Sequence, residues 1–338
     1  MDIVLEVCDT LFLDQIYAYF LPASNVHYTS NGFANTTTHT NVKAASALPW
    51  QFTPSSSFFS LKPGDSAYMS RWSRDKIHRQ AISLFLITWF AGAAVYFIFS
   101  TFSYIFFLKN QIRMEISQAI KSMPYISILT TPFFLAEVRG YSKLYEAWSD
   151  QPFTGYNFLQ FPLFLIFTDF CIYWIHRGLH HPLIYKTLHK PHHKWIMPSP
   201  YASVAFHPVD GWAQSVPYHL FPFIFPLQKF VYLALFFFVQ IWTIMIHDGE
   251  YVANSPIING AACHTMHHLY FNYNYGQYTT LWDRMGGSYR KPNQELFKPE
   301  GKMSKKEWDN QVKEMEKMVQ EVEGVDNRSY LSNEKKEL

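Results

Sequence analysis

Between Ala81 and Leu108 the chain contains no Asp, Glu, Lys or Arg. The segment SLFLITWFAGAAVYFIFSTFSYIFF within it exceeds the roughly 20 residues that carry a helix across a bilayer core. A buried helix of a water-soluble protein rarely runs so far without a polar face, and Arg79 and Lys109 bracket the stretch as interfacial charges. It reads as a transmembrane helix, and the expected fold class is an all-α integral membrane protein.

Three further apolar stretches follow, at Met123–Ala136, Phe158–Ile175 and Val216–Ile246. The first is short for a span and suits a re-entrant segment or one extended by neighbouring helices. The last is interrupted by Pro217, Pro222, Pro226 and Lys229. A turn over Pro222–Lys229 would let it enter the membrane and return to the side it left, keeping His207 and His247 on one face. The expected architecture is about four transmembrane helices, five if short or hairpin segments count, capped by a cytoplasmic helical His-rich di-metal domain. In residues, this is an N-terminal extension over 1–80, transmembrane helices over 81–160, a catalytic domain over 161–297 with its membrane hairpin near 213–246, and a charged tail over 298–338.

The cap is read from histidine. Twelve of the fifteen histidines lie between His176 and His268, and eight form three groups at helical spacing: His176/His180, His189/His192/His193 and His264/His267/His268. On an α-helix residues at i, i+3 and i+4 project from one side, so each group gathers its imidazoles. A lone HxxxH is more often a pair of surface or core histidines than a ligand set. Three groups within a hundred residues, in a chain only 16% charged, are hard to read as solvated faces. Imidazole suits iron, zinc, copper and nickel, and one four-coordinate zinc cannot use eight of them, so two metals are the natural count. The motifs lack the bridging Glu and Glu-x-x-His of carboxylate di-iron sites.

His247, in IMIHDGEY, would come back to the same face and is a further candidate ligand. His207, in FHPVDG, is a candidate ligand, outer partner or turn residue. His181 lies about 140° round an ideal helix from His176 and is left out; His27, His39, His78 and His219 read as structural or solvated. A ligating imidazole passes its second N–H to an acceptor, for which Asp169, Asp210, Asp248, Glu250, Asn272 and Asp283 are candidates. All three groups must share one compartment, and Arg177, Lys186, Lys190, Lys194, Arg284 and Arg290 crowd around them, which favours the cytoplasm.

Net charge of +2 and a pI near 8.2 imply no nucleic-acid partner. Cys8, Cys171 and Cys263 are too few and too scattered for a disulfide framework or a thiolate zinc site. Residues 1 to about 70 read as a loosely ordered arm without signal-peptide organisation, carrying a glycosylation acceptor at Asn35-Thr36-Thr37. In the tail, Trp308, Val312, Met315, Val319 and Val322 have the spacing of a short amphipathic helix that packs on the protein's own cytoplasmic face. The last residues, Lys335-Lys336-Glu337-Leu338, resemble a dilysine retrieval signal.

The strings HRGLH, LHKPHHKW, AFHPVDGWAQSVPYH, IHDGEY and HTMHHLYFNYNYGQYTTLWDRMGGSYR resemble the fungal-type sterol C-5 desaturases over roughly residues 120–297. These belong to the fatty-acid hydroxylase/sterol desaturase superfamily, whose HxxxH, HxxHH and HxxHH pattern coincides with the eight positions above. The resemblance implies two iron ions, molecular oxygen as co-substrate, and electrons from NAD(P)H through a reductase and cytochrome b5. It also implies an endoplasmic-reticulum membrane and removal of hydrogens from C-5 and C-6 of a Δ7-sterol in ergosterol-type biosynthesis. C-4 methyl sterol oxidases and lipid hydroxylases share the histidine spacing and remain alternatives. A His-rich membrane metal transporter or metal-bound scaffold is the alternative from another class, but a transporter would carry its ligands along a path inside the spans. Oligomeric state is open.

Overall fold

The computed structural model describes residues 1–23, 50–102, 109–195, 198–248 and 255–292. His27, His39, the Asn35 acceptor, Glu250, the amphipathic stripe of the tail and the terminal dilysine lie outside the described residues. In chain order the helices are α1 (Asp2–Cys8), continued by a π-helical turn (Asp9–Leu13) into α2 (Asp14–Phe20), then α3 (Ile77–Phe102), α4 (Lys109–Val138) and α5 (Tyr156–Leu179). A short α6 (Pro182–Ile184) and a second π-helical turn (Tyr185–His189) lead to α7 (Pro208–Ile224), α8 (Lys229–Met245), α9 (Ala261–Tyr270) and α10 (Leu281–Met285). The one described sheet is minimal: β1 (Leu144–Tyr145) pairs in parallel with β2 (Leu227–Gln228), Leu144 opposite Leu227. The chain divides into two units, Met1–Thr88 with Thr131–Tyr141, and Trp89–Thr130 with Ser142–Leu338.

Two described helices are long and apolar enough to cross a membrane, Ile77–Thr101 and Tyr156–Leu179. Pro162 sits inside α5 without breaking it, and Thr168 returns its hydroxyl to the Phe164 carbonyl at 2.6 Å, an internal pairing suited to an apolar surrounding. The stretch Met123–Ala136 is part of a 30-residue helix rather than a short segment. Its apolar pattern is truncated in sequence by Glu115 and Lys121. Glu115 is fully buried, where its carboxylate accepts the Ser199 N–H at 3.2 Å and the Ser199 hydroxyl.

The first unit differs most from expectation. Instead of a loose arm, Asp2–Phe20 is helical, and residues 50–76 pack on it through Glu6, whose oxygens accept the Ser55 and Leu61 N–H groups at 2.7 Å each. Arg79, expected at an interface, is 1% exposed and donates to Asp9 at 2.9 Å and Asp14 at 2.6 Å. Arg74 Nε donates to Asp14 at 3.1 Å, and a second guanidinium contact closes the pair. Buried charges need such partners, since an unpaired one costs several kcal/mol.

In the second unit α7 and α8 are joined by a short connection over Phe225–Gln228. His207 caps α7 with Pro208 in the first turn; the helix ends before Phe225-Pro226, and Gln228 caps α8 by accepting the Val231 N–H at 2.9 Å. Around the turn, Phe221, Leu227, Val231, Tyr232 and Leu235 join Phe164 of α5 in one apolar core. At the other end the first turn of α7 and the residues after α8 both arrive at the histidines.

Candidate metal centre

The nine histidines converge in two groups. His176, His180, His189, His193 and His267 form the first; His192, His247, His264 and His268 form the second; within each, one ring nitrogen per residue lies within 4.8 Å of all the others. His176 and His180 come from the end of α5, and His264, His267 and His268 from α9. His247 directly follows the last turn of α8.

The middle motif is not an α-helix. Pro191 interrupts it, and His189 closes the π-helical turn, after which His192 N–H and His193 N–H both return to the His189 carbonyl at 2.9 and 3.3 Å. Nor does either HxxHH keep its rings on one side as its spacing suggests. Positions i and i+4 stay together, but i+3 is about 100° from its neighbour i+4. His189 and His193 therefore enter the first group while His192 enters the second, and His264 and His268 enter the second while His267 enters the first.

The hydrogen bonds fix which nitrogen faces inward. Nδ1 of His176 donates to the Tyr275 carbonyl at 2.9 Å, His267 to Tyr273 at 2.7 Å, His268 to Trp195 at 3.0 Å and His247 to Thr243 at 2.7 Å. His189 Nδ1 meets Asp210 Oδ2 at 2.7 Å. With the proton on Nδ1, the Nε2 of His176, His247, His267 and His268 presents a lone pair. The Nε2 atoms then face one another: 3.1 Å for His176–His189 and His189–His193, and 3.0 Å for His193–His267. In the second group, His264 Nε2 lies 2.9 Å from His247 and 3.2 Å from His268. The buried His180 Nε2 has no hydrogen-bond partner. A single proton could bridge one such pair but not five nitrogens. Two nitrogens bound at right angles to one ion at roughly 2.1 Å lie about 3 Å apart, so each donor set fits a metal cation.

Burial enforces the neutral form of most of these rings. His193, His267 and His268 are 0% exposed, and no member of the second group exceeds 8%. Burial, reinforced by neighbouring imidazoles, holds His180, His192, His193, His264, His267 and His268 well below the usual histidine range. Burial brings His247 down to about 4.

The carboxylates divide by role. Asp210 touches His189 of the first group directly, and its second oxygen accepts from Gln214 at 2.8 Å. Asp169 accepts the N–H groups of Gln277, Tyr278 and Thr279 and the Thr279 hydroxyl, at 2.6–3.2 Å. Asp283 accepts from the Tyr275 and Gly276 N–H groups and the Ser288 hydroxyl, each at 2.8 Å. They fasten the loop whose Tyr275 carbonyl orients His176. Asp248 lies in neither group, and Asn272 is exposed.

His207 is also in neither group; its Nδ1 caps α7 by accepting the Val209 N–H at 3.3 Å. His181 likewise caps α6, His78 packs on Trp72 and His219 is buried near Phe236. Residues that sequence reasoning did not find are Gln214 and the four carbonyl acceptors, together with Phe206, stacked on His192 with ring centres 4.3 Å apart. Gln214, Phe206, Thr243 and Gln277 line a small cavity against His176, His192, His247 and His264.

A di-histidine-cluster membrane protein of this kind has counterparts. Residues 161–288 match the fatty acid hydroxylase family. The chain is 61% identical to a Delta(7)-sterol 5(6)-desaturase of Aspergillus fumigatus with all of both chains covered, and 57% identical to one of Leptosphaeria maculans over 98% of this chain and 97% of the relative. A Delta(7)-sterol 5(6)-desaturase of Schizosaccharomyces pombe is 50% identical over 80% of this chain and 95% of its own length. No solved structure matches. The chain belongs to the Delta(7)-sterol 5(6)-desaturase family.

Proposed function

We propose that the chain introduces the C5=C6 double bond into a Δ7-sterol, with two iron ions held by the two histidine groups. The observation that carries the reading is identity along the whole length to proteins of that name, in a chain whose histidine nitrogens converge in two sets. Iron held there supplies the capacity to activate molecular oxygen for hydrogen removal from an unactivated carbon pair. The overall balance is one O2, two hydrogens from the sterol, and two electrons with two protons from NAD(P)H, yielding the diene and two waters. Cytochrome b5 and its reductase would carry those electrons, at the endoplasmic-reticulum membrane with the histidines on the cytoplasmic side.

The chain's residues position and insulate. His176, His180, His189, His193 and His267 would hold one ion, and His192, His247, His264 and His268 the other. Asp210 keeps the His189 proton on Nδ1, and Gln214 fixes Asp210 in turn. Asp169 and Asp283 hold the Tyr275–Thr279 loop, so that Gln277 and Thr243 wall the cavity where the sterol B ring would approach. Burial of the imidazoles excludes bulk water that would compete for the ions.

The test is expression in a yeast strain that lacks its own C-5 desaturase and accumulates Δ7-sterols. Appearance of Δ5,7-dienes is expected, with their loss in His267→Ala at unchanged protein level. A hydroxylated or C-4-demethylated sterol as product, or purified protein with zinc and no oxygen-dependent turnover, would overturn it.

A further inference from the structure

The N-terminal helix is polar on its inside and apolar on its outside. Its acids Glu6, Asp9 and Asp14 are 7%, 3% and 2% exposed, whereas Leu11, Phe12, Ile16, Tyr19 and Phe20 are 45–72% exposed. From Leu11 to Phe20 exposure alternates in pairs: 11–12, 15–16 and 19–20 lie outside, 13–14 and 17–18 inside. Gln15 is the single polar residue in the outward stripe. A helix lying on a protein in water shows the opposite order, with charges outward.

We propose that this outward stripe faces the acyl chains of the bilayer, so that Asp2–Phe20 is a membrane-embedded helix. Three features point to lipid. The helix packs on the start of α3, one of the two described helices long and apolar enough to cross a membrane: Tyr17 Oη meets Ser83 Oγ at 3.1 Å, and the Arg79 guanidinium lies 4.4 Å from the Tyr17 ring. The stripe thereby flanks the start of α3, where Ile82 is likewise exposed. Every acid of the inner face has partners within the unit, Asp9 and Asp14 the guanidinium groups of Arg74 and Arg79, and Glu6 the hydrogen bonds of backbone N–H groups. This is the condition under which charges persist in an apolar medium. Nineteen helical residues also span about 28 Å, close to the thickness of the hydrocarbon layer.

The proposal rests on α3 crossing the bilayer, which the experiment checks separately. The full chain, with its three cysteines replaced and sterol turnover retained, is reconstituted in phosphatidylcholine nanodiscs and carries one nitroxide at a time. The sites are Phe12→Cys, Ile16→Cys, Phe20→Cys, Ile98→Cys as the span reference and Lys291→Cys as the aqueous reference. The expected result is a ratio of oxygen to nickel-chelate accessibility at positions 12, 16 and 20 close to that at 98 and several-fold above that at 291. A chelate-accessible stripe overturns the proposal, as does one closed to both reagents, which would mean a second copy or another protein covers it. An aqueous reading at 98 overturns the span and the proposal together. On the unaltered chain, a lipid-soluble carbene reagent should label the peptide holding residues 11–20; labelling only by a water-soluble carbene overturns the proposal.

Discussion

Two clusters of buried polar groups in this chain solve desolvation in opposite ways. Around Arg79, guanidinium groups of Arg74 and Arg79 face the carboxylates of Asp9 and Asp14, so charge answers charge within the chain. Around His193, imidazole nitrogens face one another about 3 Å apart, and no described carboxylate or guanidinium stands between them. The first cluster is complete in itself. The second is a donor set that cations between its nitrogens would complete, as the proposed function requires.

The sharpest break of that contrast is His267→Ala, which removes one donor from the first group. Its cost should exceed the roughly 10–100-fold that a lost outer partner costs a metal site. Sterol product and iron content by plasma mass spectrometry should fall together, while the chain stays folded. Arg79→Met is the converse. It strands Asp9, while Asp14 keeps Arg74, and should destabilise by about 3–5 kcal/mol, seen as a lower melting temperature and lower yield; adding Asp9→Asn should recover much of it.

Asp210→Asn should lower iron affinity by about 10–100-fold, because Asn can present the wrong group to His189 Nδ1. Iron retention against a graded chelator measures this, with Gln214→Leu showing a smaller effect in the same direction.

Acid should act on the histidine centre of chelated protein. The folded-state pKa of His247 is depressed to about 4 from an ordinary 6.5. Between those values the unfolded chain binds protons that the folded one does not. The histidine contribution to stability is therefore full above about 6.5 and is lost as pH falls toward 4. Melting temperatures of chelated protein at pH 7.5 and 5 test the sign. The smallest effect is expected for His207→Ala, a lost helix cap worth about 1 kcal/mol with iron content unchanged.

Legibility in the sequence followed whether a feature carries residue identity. Eight of the nine histidines are a matter of spacing, and His247 is legible only through the proline-broken segment before it. Spacing alone could not divide HKPHH and HTMHH between two groups, since that depends on a 100° step and on Pro191. The acceptors that orient the rings are carbonyls of Trp195, Thr243, Tyr273 and Tyr275, groups that every residue possesses. His207 has the residue type of a ligand and the position of a cap. The N-terminal helix was obscured for another reason: its apolar face points away from the protein and its acids inward, so the amphipathic pattern resembles no soluble helix.

The division of each HxxHH motif has a mechanical consequence. His192 and His193 are bonded neighbours, as are His267 and His268, yet each pair sends one ring to either group. Consecutive Cα atoms across a trans peptide are about 3.8 Å apart and cannot stretch. Two peptide bonds thus tether the groups and bound their separation, while the hydrogen bonds that hold the ring torsions set the gap. Any breathing of the surrounding helices must carry both groups together.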